Sequence, residues 1–134
     1  MSIQNKTKVC SLGVNLDFMY TGCVLTISWA DAAALARYSD SVTEYRVITN
    51  RKTLSISRWK DKKWESIIPA DFTMNPMEIT EEEKFMVQML PGLNKFEREL
   101  YAVSGVVARM WHNDADEEYA KKYVIEFLKD YLEW

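Results

Sequence analysis

Apolar and polar residues alternate with a period of two along the first half of the chain, a pattern typical of strands with one buried face. Two alternating runs lie on either side of the turn Thr21-Gly22, which predicts a β-hairpin. Their apolar positions are Val14, Leu16, Phe18 and Tyr20 before the turn and Cys23, Leu25, Ile27 and Trp29 after it. We therefore expect the ordered chain to begin as antiparallel sheet.

Three more runs of β-branched and aromatic residues follow at positions 42–49, 53–59 and 63–68, separated by short polar turns. They predict an antiparallel meander. Between the hairpin and this meander, residues 30–38 are rich in alanine, and Ser28 precedes Asp31 by three positions, as in a capping box. A short helix is expected to interrupt the sheet at this point.

Beyond Pro69 the spacing of apolar residues changes to three and four, which is the period of helices. Three helix starts each have a capping residue three positions before a glutamate. The predicted pairs are Thr80 with Glu83 for helix 81–90, Asn94 with Glu97 for helix 95–112, and Asp114 with Glu117 for helix 115–132. The fold class is therefore α+β, a single domain over residues 1–134 that is mainly β at 9–68 and mainly α at 79–133.

The third predicted helix is apolar over much of its circumference, and such a helix usually packs on two sides. Its apolar residues are Tyr119, Ala120, Tyr123, Val124, Phe127, Leu128 and Tyr131. One side is expected to face the domain and the other a second chain or a ligand. This arc predicts a homodimer.

The composition and the first residues of the chain bear on where the protein is located in the cell. Of the 134 residues 48% are hydrophobic and 28% charged, which is ordinary for a folded domain. Residues 1–8 are polar and lack the apolar core of a signal peptide, and no apolar run is long enough for a membrane span, so we expect a cytoplasmic protein. Cys10 and Cys23 are then expected as buried reduced thiols in preference to a disulfide.

The charge is unevenly distributed. Residues 1–64 carry ten basic and five acidic residues, a net charge of +5, whereas residues 65–134 carry seven basic and fifteen acidic residues, a net charge of −8. Such asymmetry can mark a surface for a charged partner.

Motifs for catalysis or cofactor binding are missing from the sequence. His112 is the only histidine and fits a helix C-terminus, and no nucleophile motif accompanies it. The acidic runs at 81–83 and 114–118 fit helix starts and lack the glycine and glutamate of a calcium-binding loop. Four glycines are too few for either nucleotide-binding glycine motif. We expect no enzyme activity, no metal and no cofactor.

The segment 51–64 is the strongest candidate for a binding site, because it combines cations that bind phosphate with aromatic rings that stack on bases. The plain alternative is a solubilised hairpin whose tryptophans point inward. Arg109 borders the apolar stripe of the second helix and suits an anion site between helix and sheet. The candidate residues are Arg51, Lys52, Arg58, Trp59, Lys60, Lys63, Trp64 and Arg109.

Two expectations sharpen this hypothesis. Changing Arg58 and Lys60 to glutamate should weaken binding while leaving the fold intact, because exposed charges contribute little to stability. Trp59 should be more exposed than Trp64, because strand parity places it on the same face as Ser55 and Ser57.

In size, composition and lack of motifs, the chain resembles the small inhibitors and accessory proteins that phages and mobile elements encode against host or defence machinery, and it is similar too to toxin-immunity proteins. The resemblance implies a non-enzymatic protein that binds a host or defence macromolecule. The alternative is a sponge that sequesters a nucleotide or cyclic nucleotide signal through the basic, tryptophan-flanked hairpin.

Overall fold

A computed structural model describes residues 7–31 and 42–133 of the chain. The described strands form one sheet in the order β5-β4-β3-β2-β1-β6. In chain order the elements are β1 (Thr7–Phe18), β2 (Cys23–Asp31), β3 (Thr43–Thr49), β4 (Leu54–Lys60), β5 (Lys63–Ile68), α1 (Glu81–Met89), α2 (Lys95–His112), α3 (Glu117–Lys129) and β6 (Leu132–Glu133). The expected α+β class, with an antiparallel sheet followed by three helices, is confirmed.

The first two residues of the short helix predicted at 30–38 are not helical, because β2 continues through Ala30 and Asp31. Ser28 cannot cap a helix here, since it lies inside the strand between Gly13 of β1 and Glu44 of β3. The rest of the predicted helix lies outside the described residues. Strand pairing with both neighbours therefore overrides the local capping pattern.

Two of the three predicted capping boxes are confirmed. The Glu83 amide donates to Thr80 Oγ1 over 3.1 Å and the Thr80 amide donates to Glu83 Oε1 over 2.9 Å. The same reciprocal pair joins Asn94 and Glu97, at 2.8 and 3.0 Å. Each box satisfies amides that the first helical turn leaves without partners.

The third predicted helix start is wrong. Asp114 has a left-handed backbone with φ 57°, because residues 113–115 close the end of α2 through hydrogen bonds to Arg109, Met110 and Trp111. Asp116 is the N-cap of α3 instead. The predicted helix is also too long at its other end, where α3 stops at Lys129 and Leu132–Glu133 pairs in parallel with Thr7–Lys8.

The two faces of the sheet differ in cover. The inner face contributes Leu25, Val47 and Ile56 to one buried cluster that also contains Leu100 of α2 and Val124 of α3. The residues that alternate with them, on what we call the outer face, are not members of this cluster among the described residues. All described helices that join the core therefore pack on the inner face.

Most of the apolar arc of α3 is covered by the chain itself. Val124 is fully buried, Phe127 stacks on Phe96 at a centroid distance of 5.4 Å, and Tyr131 meets the same ring edge-on at 5.3 Å. Tyr119, by contrast, is 62% exposed. The arc therefore leaves less surface for a second chain than the pattern suggested, and the homodimer stays a prediction.

Cys23 is a buried free thiol on β2, and the side chain of Cys10 lies outside the described part. Burial, with smaller contributions from the charges of Glu117 and Asp17, raises the pKa of the Cys23 thiol to about 12. No helix in the described ranges is long and apolar enough to cross a membrane.

Candidate functional site

The outer face carries polar and aromatic side chains on five consecutive strands. The strand register places them in rows across the sheet. From β1 to β5 the outer-face residues are Gly13, Asn15 and Asp17; Val24, Thr26 and Ser28; Glu44, Arg46 and Ile48; Ser55, Ser57 and Trp59; Trp64 and Ser66. Most are half-buried or exposed, as on a sheet face without a packed layer.

Trp59 and Trp64 form a cross-strand pair on this face. They lie directly opposite each other on β4 and β5, with ring centroids 5.5 Å apart and planes at 66°. Edge-to-face geometry of this kind stabilises neighbouring strands. Both rings are half-buried, so the expected contrast between a wetter Trp59 and a drier Trp64 is not resolved at this level.

Arg46 completes the aromatic group. Its guanidinium carbon lies 4.1 Å from the centroid of the Trp64 ring, within the range of a cation–π contact. Arg46 is adjacent to Ser57 across β3–β4, and Ser57 is adjacent to Ser66 across β4–β5. A cation, an indole pair and two hydroxyl groups therefore share one area of the outer face, which we call the Arg46–Trp64 platform.

The hydroxyl groups of this platform are available to a ligand. Within the described ranges, the side chains of Ser57 and Ser66 make no hydrogen bond to another protein group. Hydroxyls both donate and accept, so they suit phosphate oxygens and base edges equally.

The β4–β5 turn adds charge at one end of the platform. Asp61 and Lys62 both adopt left-handed conformations, with φ 54° and 63°, as a two-residue type I′ turn requires. Glycine or asparagine is favoured in such a turn, and a lysine there costs conformational energy. Lys60 and Lys63 face each other across the start of the turn, and both are exposed. They share the strand parity of Arg58 and Glu65, so they flank the platform and do not lie on it. A depression of about 580 Å³ next to Trp59 is lined by Val42, Trp59, Lys60, Asp61 and Lys62.

Arg58 lies on the inner face and is not part of the platform. Its Nη1 donates to Glu97 Oε2 over 2.7 Å, and its Nη2 donates to Glu65 Oε1 over the same distance. Tyr45 Oη donates to the same Glu97 oxygen, also over 2.7 Å. Because the Glu97 side chain is 0% exposed, these bonds, together with the amide of Asn94, compensate a fully buried carboxylate.

The pKa shifts within this cluster agree with its geometry. Burial, reinforced by the hydrogen bond to Glu97, raises the pKa of Tyr45 above its usual range. Burial alone would lower the pKa of Arg58, but its bonds to Glu65 and Glu97 outweigh that effect and raise it. The Arg58 guanidinium in turn lowers the pKa of Glu65. The cluster therefore holds charged Arg58 between two carboxylates and keeps Tyr45 neutral.

This geometry changes the expectation for glutamate at position 58. A carboxylate at position 58 would face the Glu97 carboxylate inside the protein, where water does not screen the repulsion between two negative charges. We therefore expect the double change of Arg58 and Lys60 to disturb the fold, in contrast to the expectation from the sequence.

The remaining sequence candidates are dispersed. Arg51 and Lys52 occupy the β3–β4 turn at the far end of β4, where the Arg51 guanidinium lies 5.2 Å from the Trp111 ring centroid. Arg109 lies on α2 and its Nε donates to the Met77 carbonyl oxygen over 3.2 Å. Of the candidates in the sequence, the structure therefore brings together Trp59 and Trp64 on the outer face, whereas Lys60 and Lys63 pair next to them with the strand parity of Arg58.

Arg46 and the serines of the platform were missed by the sequence analysis. Arg46 alternates with the buried Tyr45 and Val47, which places it on the opposite face of β3. The sequence pattern already contained this information. Which aromatic ring Arg46 meets depends on the register of three strands, which the sequence pattern does not define.

The described residues contain no group of three or more histidine, cysteine, aspartate or glutamate side chains placed to hold a metal ion. Comparisons of the chain with known protein families, with characterised proteins and with solved structures find no match.

Proposed function

We propose that this protein is a non-enzymatic binding protein and that its Arg46–Trp64 platform holds a single-stranded nucleic acid. The observation that carries the proposal is the placement of Arg46, Trp59 and Trp64 together on the outer face of the sheet, on which no described helix packs. Single-stranded nucleic acids are bound by aromatic side chains that stack on bases within a positively charged surface.

Charge supports this ligand class. Residues 42–68 contain seven basic and three acidic residues, although the whole chain has a net charge of −3. Of these basic residues, Arg46 lies on the platform itself, whereas Arg58 is paired with Glu65 and Glu97 on the inner face. Phosphates would be attracted to this basic region and repelled by the acidic second half of the chain, where residues 65–134 have a net charge of −8. A protein of this kind acts by occupying its partner, as do the inhibitors and accessory proteins that it resembles in size and composition.

The width of the face favours an oligonucleotide over the alternative, a sequestered mononucleotide signal. The row Asn15, Thr26, Arg46, Ser57 and Ser66 crosses five strands. At a strand spacing of about 4.8 Å this row is ~19 Å long, enough for more than one base. A mononucleotide would occupy only the indole pair and the adjoining depression.

The test is the affinity for a fluorescent single-stranded oligonucleotide of about twelve thymidines, measured by anisotropy for the wild type and for Trp59→Ala. We expect Trp59→Ala to lose about 5- to 100-fold in affinity, the value of one stacked base. Lys122→Ala, which removes an exposed cation from α3, is the matched control and should bind as the wild type does.

Two results would contradict the proposal. One is oligonucleotide binding that Lys122→Ala weakens as much as Trp59→Ala does, since the binding would then be non-specific attraction to cations. The other is an absence of oligonucleotide binding. Tight binding of ATP or cyclic AMP without the oligonucleotide, with raised absorbance at 260 nm relative to 280 nm in the purified protein, would favour the nucleotide sponge.

A further inference from the structure

Helix α1 displays apolar residues to solvent instead of burying them. Phe85 is 64% exposed, Met86 46% and Met89 68%, whereas Val87 is the only buried apolar residue of the helix. At the helical spacing of 100° per residue, Phe85, Met86 and Met89 fall within one arc of about 100°. We call this arc the α1 face.

The loop before α1 carries a further exposed apolar residue. Met74 is 85% exposed, and its amide donates to Glu83 Oε2 over 2.7 Å, which fixes it beside the helix. Four of the eight large apolar residues that stand out as exposed in the described chain therefore belong to this short region. Clustered methionine and aromatic side chains are typical of surfaces that bind other proteins.

The buried Val87 and polar contacts at both ends hold α1 in place. Glu83 is buried and accepts hydrogen bonds from the amides of Thr80 and Met74. At the other end Arg98 Nη2 donates to the Leu90 carbonyl oxygen over 3.0 Å. The fold therefore fixes the helix without using Phe85 or Met89, so these side chains are free to serve a partner.

The charge around the α1 face defines the partner. Glu81 and Glu82 lie one turn before Phe85 and Met86, and both are exposed, as is Glu78 just before the helix. Lys84 is the only basic residue of the helix, and it already pairs with Glu81 at 3.2 Å. An apolar stripe with an acidic end complements a segment that carries apolar anchors and basic residues. A second copy of the same face would bring these carboxylates together and is disfavoured.

We infer that the α1 face is a docking surface for another protein, which contributes a basic amphipathic segment. Apolar anchors of that segment pack on Phe85, Met86 and Met89, and its lysines or arginines meet Glu81 and Glu82. The inference rests on a different side of the molecule from the nucleic-acid platform, so either can fail without the other.

The test is selection of a displayed library of random sixteen-residue peptides on the folded wild-type protein, followed by affinity measurements on synthetic copies of the enriched peptides. We expect the enriched peptides to be basic, with apolar residues three or four positions apart. They should bind the double variant Phe85→Ser/Met89→Ser at least about tenfold more weakly than the wild type. Tyr119→Ser on α3, which removes a ring of similar exposure, is the matched control and should bind them unchanged.

A second variant, Glu81→Lys/Glu82→Lys, tests the charge separately and should also weaken these peptides, most strongly at low salt. The inference is overturned if no peptide is enriched, if enriched peptides are acidic, or if they bind the two double variants as well as the wild type. It is also overturned if sedimentation shows that the wild type dimerises through this face and Phe85→Ser/Met89→Ser does not.

Discussion

Arg46 and Arg58 lie in adjacent rows of two neighbouring strands, yet they belong to different faces of the sheet. Arg58 points inward, with 19% of its side chain exposed, and binds the fully buried Glu97. Arg46 points outward and covers the Trp64 ring. One arginine joins the sheet to the helices, and the other contributes to a surface. The role of a basic residue in this sheet therefore depends on the face it occupies, and its presence in a segment rich in cations and tryptophans does not by itself make it a binding residue.

Among substitutions on the two faces of the sheet, Arg58→Ala is expected to cause the largest loss in the free energy of unfolding. This change leaves the Glu97 carboxylate buried without its cation, and breaking a buried ion pair in this way costs about 3–5 kcal/mol. We expect a corresponding fall in the free energy of unfolding measured with urea. A loss below about 1 kcal/mol would show that Arg58 behaves as a surface residue and would remove the contrast with Arg46.

Alternate residues of β4 test the same contrast without charge. Ile56 is fully buried on the inner face, so Ile56→Ala should cost about 2–5 kcal/mol through lost contacts and a residual cavity. Its neighbour Ser57 lies on the outer face, and Ser57→Ala should change stability by no more than about 0.5 kcal/mol. Equal losses in thermal unfolding would mean that the outer face is packed as tightly as the inner one.

The free energy of unfolding should also depend on pH through Glu83, on the inner side of the sheet. Burial opposes ionisation of this carboxyl, but hydrogen bonds from the backbones of Thr80 and Met74 outweigh burial and lower its pKa. A lowered folded-state pKa contributes stability above the unfolded pKa of about 4.3, which is lost as the pH falls through the folded value.

We therefore expect Glu83→Gln to reduce stability at neutral pH and to flatten the loss of stability below about pH 4.3. Urea unfolding at a series of pH values measures both effects. Glu82→Gln, one residue earlier and exposed, is the control and should follow the wild-type curve. If the free energy of unfolding of Glu83→Gln falls below about pH 4.3 as steeply as that of the wild type, other carboxylates cause the pH dependence.

On the outer face, Arg46→Ala is expected to have only a small effect on stability. An exposed cation–π contact contributes about 0.5–1 kcal/mol, so the melting temperature should fall only slightly. Oligonucleotide affinity should fall in the same variant, because Arg46 supplies the cation of the platform. Loss of stability comparable to that of Arg58→Ala would make Arg46 a structural residue and leave the platform without its charge.

The sequence predicted those features that depend on near neighbours. The capping boxes at Thr80 and Asn94 formed as expected, because the residues involved are three positions apart. The pattern at Asp114 failed because the chain uses residues 113–115 to finish α2 before a new helix can begin.

The parts of the site that escaped prediction depend on distant pairings. Glu97 lies 39 residues from Arg58 and 52 from Tyr45, so its capping pattern was visible but its role in the interior was not. Similarly, strand parity placed Trp59 away from the core, but only the register places it opposite Trp64. The spacing of apolar residues along a strand or helix shows which face is buried, but it does not show which strand lies next to that element.

Pairing between β1 and β6 has a consequence for how copies of this protein meet. Unpaired strand edges invite association with other chains. The free side of β1 is occupied near one end by Leu132–Glu133, and near the other the Phe18 amide donates to Glu117 Oε2 of α3 over 2.7 Å. Removing the last few residues, from Leu132 onward, would expose the beginning of β1 as a template. Aggregation should therefore rise in such a truncated chain, and its melting temperature should fall as well, because Leu132 is buried in the core.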